Sequence, residues 1–352
     1  MTAVSFLLSV VLTLVVKKLA PATGFVAHPT ADRYHRAVVP LGGGIAIFTT
    51  LISIMLVGVM SVKFLAGGGY IDWLGESVLI HTAGFLERAD ELVIIMLAMS
   101  ALFVLGLWDD KRHLGPVVKL AVQFAVAIIA ASVGQTRVEF FIENRVITTI
   151  LSALWIVLII NAFNFLDNMD GLAAGIAVIT SMILFTAAGL SGQVFVGGLA
   201  LVFTGTLLGF LVFNFAPARI FMGDAGSLVV GFIVAVLTIR TTYYQQAGSG
   251  QWYAVFMPLV VMAVPLYDFL SVTLLRISQG KSPFVGDTQH FSHRLKKRGL
   301  SDTQTVLTLY LATLCTGLGA TFLDQVDLLG AVLIFTQTFM ILAIIAIFET
   351  TR

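Results

Sequence analysis

Cysteine and charge are the two things this chain most nearly does without. A single cysteine, Cys315, lies in an apolar run, so neither an intrachain disulfide nor a cysteine-ligated metal site can be assembled. Charged residues occupy 11% of the 352 positions, against about a quarter in a soluble globular domain. Hydrophobic residues make up 58%. That balance excludes an ordinary soluble domain and predicts an integral membrane protein. The formal net charge of +1 offers no basic excess that would call for a nucleic-acid partner; in a membrane protein the placement of charge carries the information and the sum does not. Internal repeats and low-complexity tracts are also missing, and the chain reads as one membrane domain over 1–352.

What is present in quantity is hydrocarbon. Apolar stretches of roughly 17–25 residues can cross a bilayer as helices, and eleven are visible, near 3–19, 41–61, 92–108, 117–135, 147–162, 172–190, 193–213, 227–240, 253–275, 304–322 and 328–348. The first has no basic segment ahead of it, and Lys17 and Lys18 follow it, so it reads as a retained span and not a secretion signal. If the N-terminus is outside, the connections after spans 1, 3, 5, 7 and 9 and the C-terminus are cytoplasmic, and they hold 15 of the 20 Lys and Arg residues. Such a bias fixes orientation by the positive-inside rule. The expectation is therefore an all-α polytopic bundle of about eleven transmembrane helices, N-terminus outside and C-terminus cytoplasmic. The segment 62–91, with Gly67-Gly68-Gly69, reads as a solvated external loop.

The polar residues then fall on one side. GLWDDKRHLGP (106–116), NFLDNMDG (164–171), FNFAPARIFMGDAGS (213–227) and GKSPFVGDTQHFSHRLKKRG (280–299) all lie in cytoplasmic connections, within loops taken as 17–40, 109–116, 163–171, 214–227 and 276–303. Each of the first three leads into a helix that starts at that surface, so three sets of unpaired N–H groups and positive dipole ends converge. That suits a phosphate. Carboxylates beside an anion site repel the anion unless a cation intervenes, and Mg²⁺, hard and oxygen-seeking, is commonly held by one or two carboxylates together with substrate phosphates. Asp167 and Asp170 share a face if their segment is helical; the adjacent Asp109 and Asp110 diverge by about 100° on a helix, so only one of them should reach the ion. Asp224, between Gly223 and Gly226, has room for close backbone approach, and Asn164 could complete the shell with a neutral oxygen.

Each of these residues has a plainer use. A loop aspartate such as Asp110 or Asp170 commonly caps a helix, and Lys119, after the start signal Gly115-Pro116, could simply snorkel instead of neutralising a phosphate. His290 and His293 stand in a polar, basic loop with no zinc spacing. Asp268 is an acid within a span, which is either half of an ion pair with Arg276 or functional.

The set DD at the exit of span 3, NFLDNMDGLAAG, FMGDAGS and SPFVGDTQHFSHRL, in that order, resembles the polyprenyl-phosphate N-acetylhexosamine-1-phosphate transferases of bacterial envelope synthesis, along essentially the whole chain. The resemblance implies transfer of a sugar-1-phosphate from a UDP-sugar to undecaprenyl or another polyprenyl phosphate, with Mg²⁺ (or Mn²⁺ in its place) and release of UMP, at the cytoplasmic face of the bacterial inner membrane. It implies Asp109, Asp110 and Asp224 as the catalytic acids, Asn164 and Asp224 at the metal, and Lys119, Asp167, Asp170, His290, His293 and Arg294 at the substrates. The SPF and HxxHR pattern is more similar to the branch using UDP-N-acetylglucosamine than to the muramyl-pentapeptide branch. Departures are Ala27 where the family often has Asp, and Ser292 where a third histidine is common. A homodimer is compatible with this reading. From a different class, an ion-coupled transporter would also place acids among membrane helices, but normally near the bilayer midplane.

Overall fold

The computed structural model describes residues 1–27, 38–67, 84–134, 136–138, 142–241, 251–282 and 289–350. Parts of the expected loops 17–40, 62–91 and 276–303, with Asp32, Arg33 and Arg36 and most of SPFVGD, lie outside the described residues, as does Arg352. The described chain is helical apart from a two-stranded antiparallel ribbon, β1 (Val26–Ala27) and β2 (Val39–Pro40).

The helices are α1 (Thr2–Leu19), α2 (Gly43–Gly67), α3 (Ala89–Arg112), α4 (Pro116–Ser132), α5 (Arg145–Leu166), α6 (Leu172–Leu190), α7 (Val194–Asn214), α8 (Asp224–Arg240), α9 (Met257–Val261), α10 (Ala263–Ser278), α11 (Phe291–Lys297), α12 (Asp302–Ala320) and α13 (Leu328–Thr350). All eleven expected apolar stretches contain a helix. Seven of these helices are long and apolar enough to cross a bilayer, and an eighth is if α9 and α10 form one crossing. The expected ninth span is not straight: its halves meet at a bend of 63° next to Met262. The chain is a multi-pass, all-α membrane protein.

Local chemistry sets many of the helix ends. Asn144 caps α5 by accepting from the N–H groups of Val146 (3.0 Å) and Ile147 (3.2 Å), and Ser301 with Gln304 forms a capping box on α12, which satisfies donors that have no intrahelical partner. Helix α3 runs further than its apolar stretch suggests. Asp109, Asp110, Lys111 and Arg112 form its last turn, ended by His113 at φ 36°, and Pro116 starts α4 at a position where its missing N–H costs nothing. The expected loops 109–116 and 163–171 thus begin inside helices, because extending a helix already in place costs far less than starting one, and Lys111 and Arg112 are good helix formers.

At the centre stands α8, whose residues Ala225–Thr238 are all buried. It packs against α5, α3 and α2. Between lipid-exposed helices there is little hydrophobic driving force, so close backbone approach does the holding. A Cβ on Gly106 of α3 would lie 2.5 Å from the backbone of Asp224 and Ala225, and one on Gly44 of α2 would lie 2.3 Å from the amide nitrogen of Gly226. The first turn of α8 is therefore gripped between two glycines.

Candidate active site

Three segments meet at that gripped turn. The chain before α8 runs alongside the entry to α2: Phe221 donates its N–H to Pro40 O (2.9 Å), while Gly43 and Gly44 donate to Phe221 O (2.8 Å) and Met222 O (2.9 Å). Asn214, buried at the end of α7, donates to Ile220 O (3.0 Å) and accepts from the N–H of Gly171 (3.1 Å), fixing the same loop to the start of α6. Asp170 also holds this loop, accepting from the N–H of Ala218 (2.8 Å). Asp167 is the C-cap residue of α5 at φ −76° and ψ 45°. The helix ends at Leu166, so the helical face expected to unite Asp167 with Asp170 does not form.

Asp109, Lys119 and Asp224 come together. The Lys119 ammonium, near the start of α4, lies 2.6 Å from Asp109 Oδ2 and 2.7 Å from Asp224 Oδ2. The other Asp109 oxygen accepts from the N–H of Leu114. The second Asp224 oxygen accepts from Asn164 Nδ2 (3.0 Å), which also donates to Ser227 Oγ (2.9 Å). One cation thus sits between two carboxylates contributed by different helices, with Asn164 behind them.

Asp110 turns the other way, as neighbouring positions on a helix must. Its Oδ1 accepts from the N–H of Asp224 (2.8 Å) and its Oδ2 from the N–H of Ala225 (3.1 Å), so it caps α8 from another helix. The positive φ of Gly223 (72°) lets the chain turn tightly here, and a Cβ at that position would meet the Asp110 carboxylate at 2.8 Å. This changes the expected role of the converging helix N-termini. At α8 the N–H groups are taken by Asp110, and at α6 the Gly171 N–H is taken by Asn214; both are occupied by the protein's own acceptors. Lys119, bonded to both Asp109 and Asp224, is a source of positive charge for an incoming phosphate.

The histidine segment docks on the same end of α5. His290 and His293 are both buried, and the His290 ring stands edge-on to Phe165 at 5.5 Å. Ser292 Oγ donates to Asn168 Oδ1 (2.6 Å), so the serine that stands in place of a histidine has a bonding role. Burial first, and the neighbouring His290 second, hold the His293 imidazole down to about 4. Arg294 is committed within the protein: Nε to Glu349 Oε2 (2.8 Å), one terminal nitrogen to Gln289 O (2.6 Å) and the other to Ser271 Oγ (2.9 Å). Glu349 also accepts from the Tyr267 hydroxyl. Asp268 pairs with His290 (2.9 Å), and the buried guanidinium of Arg276 lies over the Phe165 ring at 5.1 Å.

Ser227, Asn168, Asn214 and Glu349 were not singled out by sequence. Three of them sit within or beside the polar motifs, where a signal existed; Glu349, at the far end of an apolar helix, gave none.

A family model described as Glycosyl transferase family 4 matches residues 92–242, a stretch that holds every expected site residue from Asp109 to Asp224. A Bacillus subtilis (strain 168) protein named "Probable undecaprenyl-phosphate N-acetylglucosaminyl 1-phosphate transferase" is 33% identical over 316 residues, 88% of this chain and 80% of the relative. The Mycobacterium tuberculosis "Decaprenyl-phosphate N-acetylglucosaminephosphotransferase" is 31% identical over 84% of this chain and 75% of its own length. An Escherichia coli (strain K12) protein, "Undecaprenyl-phosphate alpha-N-acetylglucosaminyl 1-phosphate transferase", is 24% identical over 87% of this chain and 78% of its own.

Proposed function

Because this chain belongs to glycosyl transferase family 4, we propose that it transfers N-acetylglucosamine-1-phosphate from UDP-N-acetylglucosamine to undecaprenyl phosphate, or a similar polyprenyl phosphate, and releases UMP. The relatives above carry N-acetylglucosamine and a polyprenyl phosphate in their names, which supports this donor over a muramyl-pentapeptide one. The observation that carries the chemistry is the convergence of Asp109 and Asp224 on a single cation position, filled here by the Lys119 ammonium.

The donor set fits Mg²⁺. Two carboxylates, both hard oxygen ligands, suit an ion that keeps several waters and shares itself with substrate phosphates. Among the described residues no group of three His, Cys, Asp or Glu is placed to hold a metal ion, so the ion would depend on substrate phosphates for further ligands. Asp224 would hold the ion with Asp109 facing it, while Asn164, expected at the metal, donates to Asp224 and would orient that carboxylate; when bound, the ion would neutralise the phosphates that have to approach one another. Asp110 then acts as a positioning residue, since it holds α8 and through it Asp224.

In the reaction an oxygen of the lipid phosphate attacks the β-phosphorus of the UDP-sugar, and the bond from that phosphorus to the bridging oxygen breaks, with UMP leaving on it. A phosphomonoester has its second pKa near 6, so at neutral pH the attacking group is already mostly dianionic and needs no strong base. Catalysis rests on positioning and charge. Lys119 moves from the carboxylates towards the transferring phosphate, and Asp109 orients. Asp109 and Asp110 close α3 at its end, far from the midplane position typical of a coupled transporter. We place the site on the cytoplasmic side of the inner membrane, with eleven crossings and the termini on opposite faces.

Purified protein incubated with undecaprenyl phosphate, Mg²⁺ and a panel of UDP-sugars should release UMP with UDP-N-acetylglucosamine and not with the others, and Asp224→Asn should abolish it. Release with no UDP-sugar would overturn this function.

A further inference from the structure

Asp268 lies on α10, in the second half of the bent pair, with none of its surface exposed. An ionisable group inside a membrane span is costly and calls for a reason. Both of its oxygens serve one segment: Oδ2 is 2.9 Å from His290 Nδ1, and Oδ1 accepts from the N–H of Phe291 at 3.0 Å. A simple anchor for the segment needs only the second of these bonds, and a neutral asparagine could make it. The first has a chemical consequence. A carboxylate only accepts, so Nδ1 carries a proton, and in the neutral form of the ring Nε2 is then the acceptor.

The ring is fixed in place as well as in tautomer. Phe165 meets it edge-on at 5.5 Å. The residue before Phe165, Asn164, is bonded to Asp224. Ser292, two residues beyond His290, is tied to Asn168. His290 is thus held against the last turn of the helix whose Asn164 backs the acid pair.

We infer that Asp268 is a positioning residue of the active site, holding neutral His290 in the tautomer whose Nε2 accepts a hydrogen bond from an N–H group of the nucleotide sugar, which can donate but not accept. This rests on the function proposed above, with His290 at the donor, and adds the residue that orients it. In Asp268→Asn, the amide oxygen still accepts from the Phe291 N–H, but the amide N–H now donates to Nδ1. The ring proton moves to Nε2, and an acceptor becomes a donor.

The test measures kcat and both KM values by UMP release for the wild type, Asp268→Asn, His290→Gln and the double variant, together with thermal stability and the imidazole ¹⁵N shifts. Loss of one hydrogen bond to the donor predicts a KM for UDP-N-acetylglucosamine raised roughly tenfold in Asp268→Asn. The KM for polyprenyl phosphate, kcat and the melting temperature should change less than about twofold or a few degrees. The His290 ¹⁵N pattern should switch tautomer, and the double variant should be no worse than His290→Gln. An Asp268→Asn protein with unchanged donor KM, or with kcat and stability falling, both KM values rising and no tautomer switch, overturns the inference alone. A wild type that releases no UMP from any UDP-sugar overturns the proposed function, and this inference falls with it.

Discussion

The Asp110 carboxylate receives the backbone N–H groups of Asp224 and Ala225 at 2.8 and 3.1 Å, so the residue that opens α8 is held by the last turn of α3. The two adjacent acids of α3 therefore have different work: Asp109 faces the cation and Asp110 fixes the helix that carries its partner. Replacing Asp110 with alanine leaves two buried donors unpaired, a loss of about 1–3 kcal/mol. It should also let Asp224 drift, and misplacement of about 1 Å costs on the order of 10²-fold in rate. Asp110→Asn keeps one acceptor and should lie between. Thermal unfolding and UMP release on the same preparations check this; an Asp110→Ala protein of unchanged stability would remove the capping role.

If the proposed Mg²⁺ binds between Asp109 and Asp224, Lys119 and the ion compete for one place. In Lys119→Met the carboxylates of Asp109 and Asp224 lose their resident cation, so divalent-ion binding to the substrate-free protein should tighten. Turnover should nevertheless fall by roughly 10²–10³-fold, as when one charge-stabilising donor is removed from a phosphate- or oxyanion-binding site. Mn²⁺ titration followed by electron paramagnetic resonance reads the first effect, and UMP release reads the second. Unchanged Mn²⁺ affinity would mean that the ion binds elsewhere.

His293 makes stability depend on pH. Its folded value of about 4 lies below the ordinary 6.5, so between these two values the unfolded chain binds a proton that the folded chain does not. Stability then rises with pH through that window, and is lost as pH falls from 6.5 towards 4, by at most about 3 kcal/mol. Melting curves of the wild type minus those of His293→Gln, taken from pH 7.5 to 4.5, should show this slope. A flat difference would refute it.

Arg294 was expected at the substrate and is found bound to Glu349, Gln289 and Ser271. Glu349→Gln weakens a buried pair and should destabilise the protein by a few kcal/mol, with activity lost through loosening of α11. If Arg294 acts mainly in that pair, Arg294→Gln and Glu349→Gln should be strongly non-additive in a double-mutant cycle. Additive effects would return Arg294 to the substrate.

Much of this protein was legible in its sequence, for two physical reasons. Hydrocarbon must take backbone hydrogen bonds inside each segment, so long apolar runs such as 172–190 and 193–213 had to become helices within a residue or two of their apolar limits. Polar residues are expensive in such a setting, so the motifs around Asp109, Asn164 and Asp224 stand out in the sequence as the candidate site. Tertiary structure alone decided which way each side chain points and what it meets. Asp109 and Asp110 are neighbours in sequence, yet one faces Lys119 and the other a helix terminus 114 positions away, because a helix turns adjacent residues about 100° apart. The pairing of Asp268 with His290, the tether from Glu349 to Arg294 and the bend beside Met262 likewise depend on which helices pack together, and no local pattern in the chain encodes that.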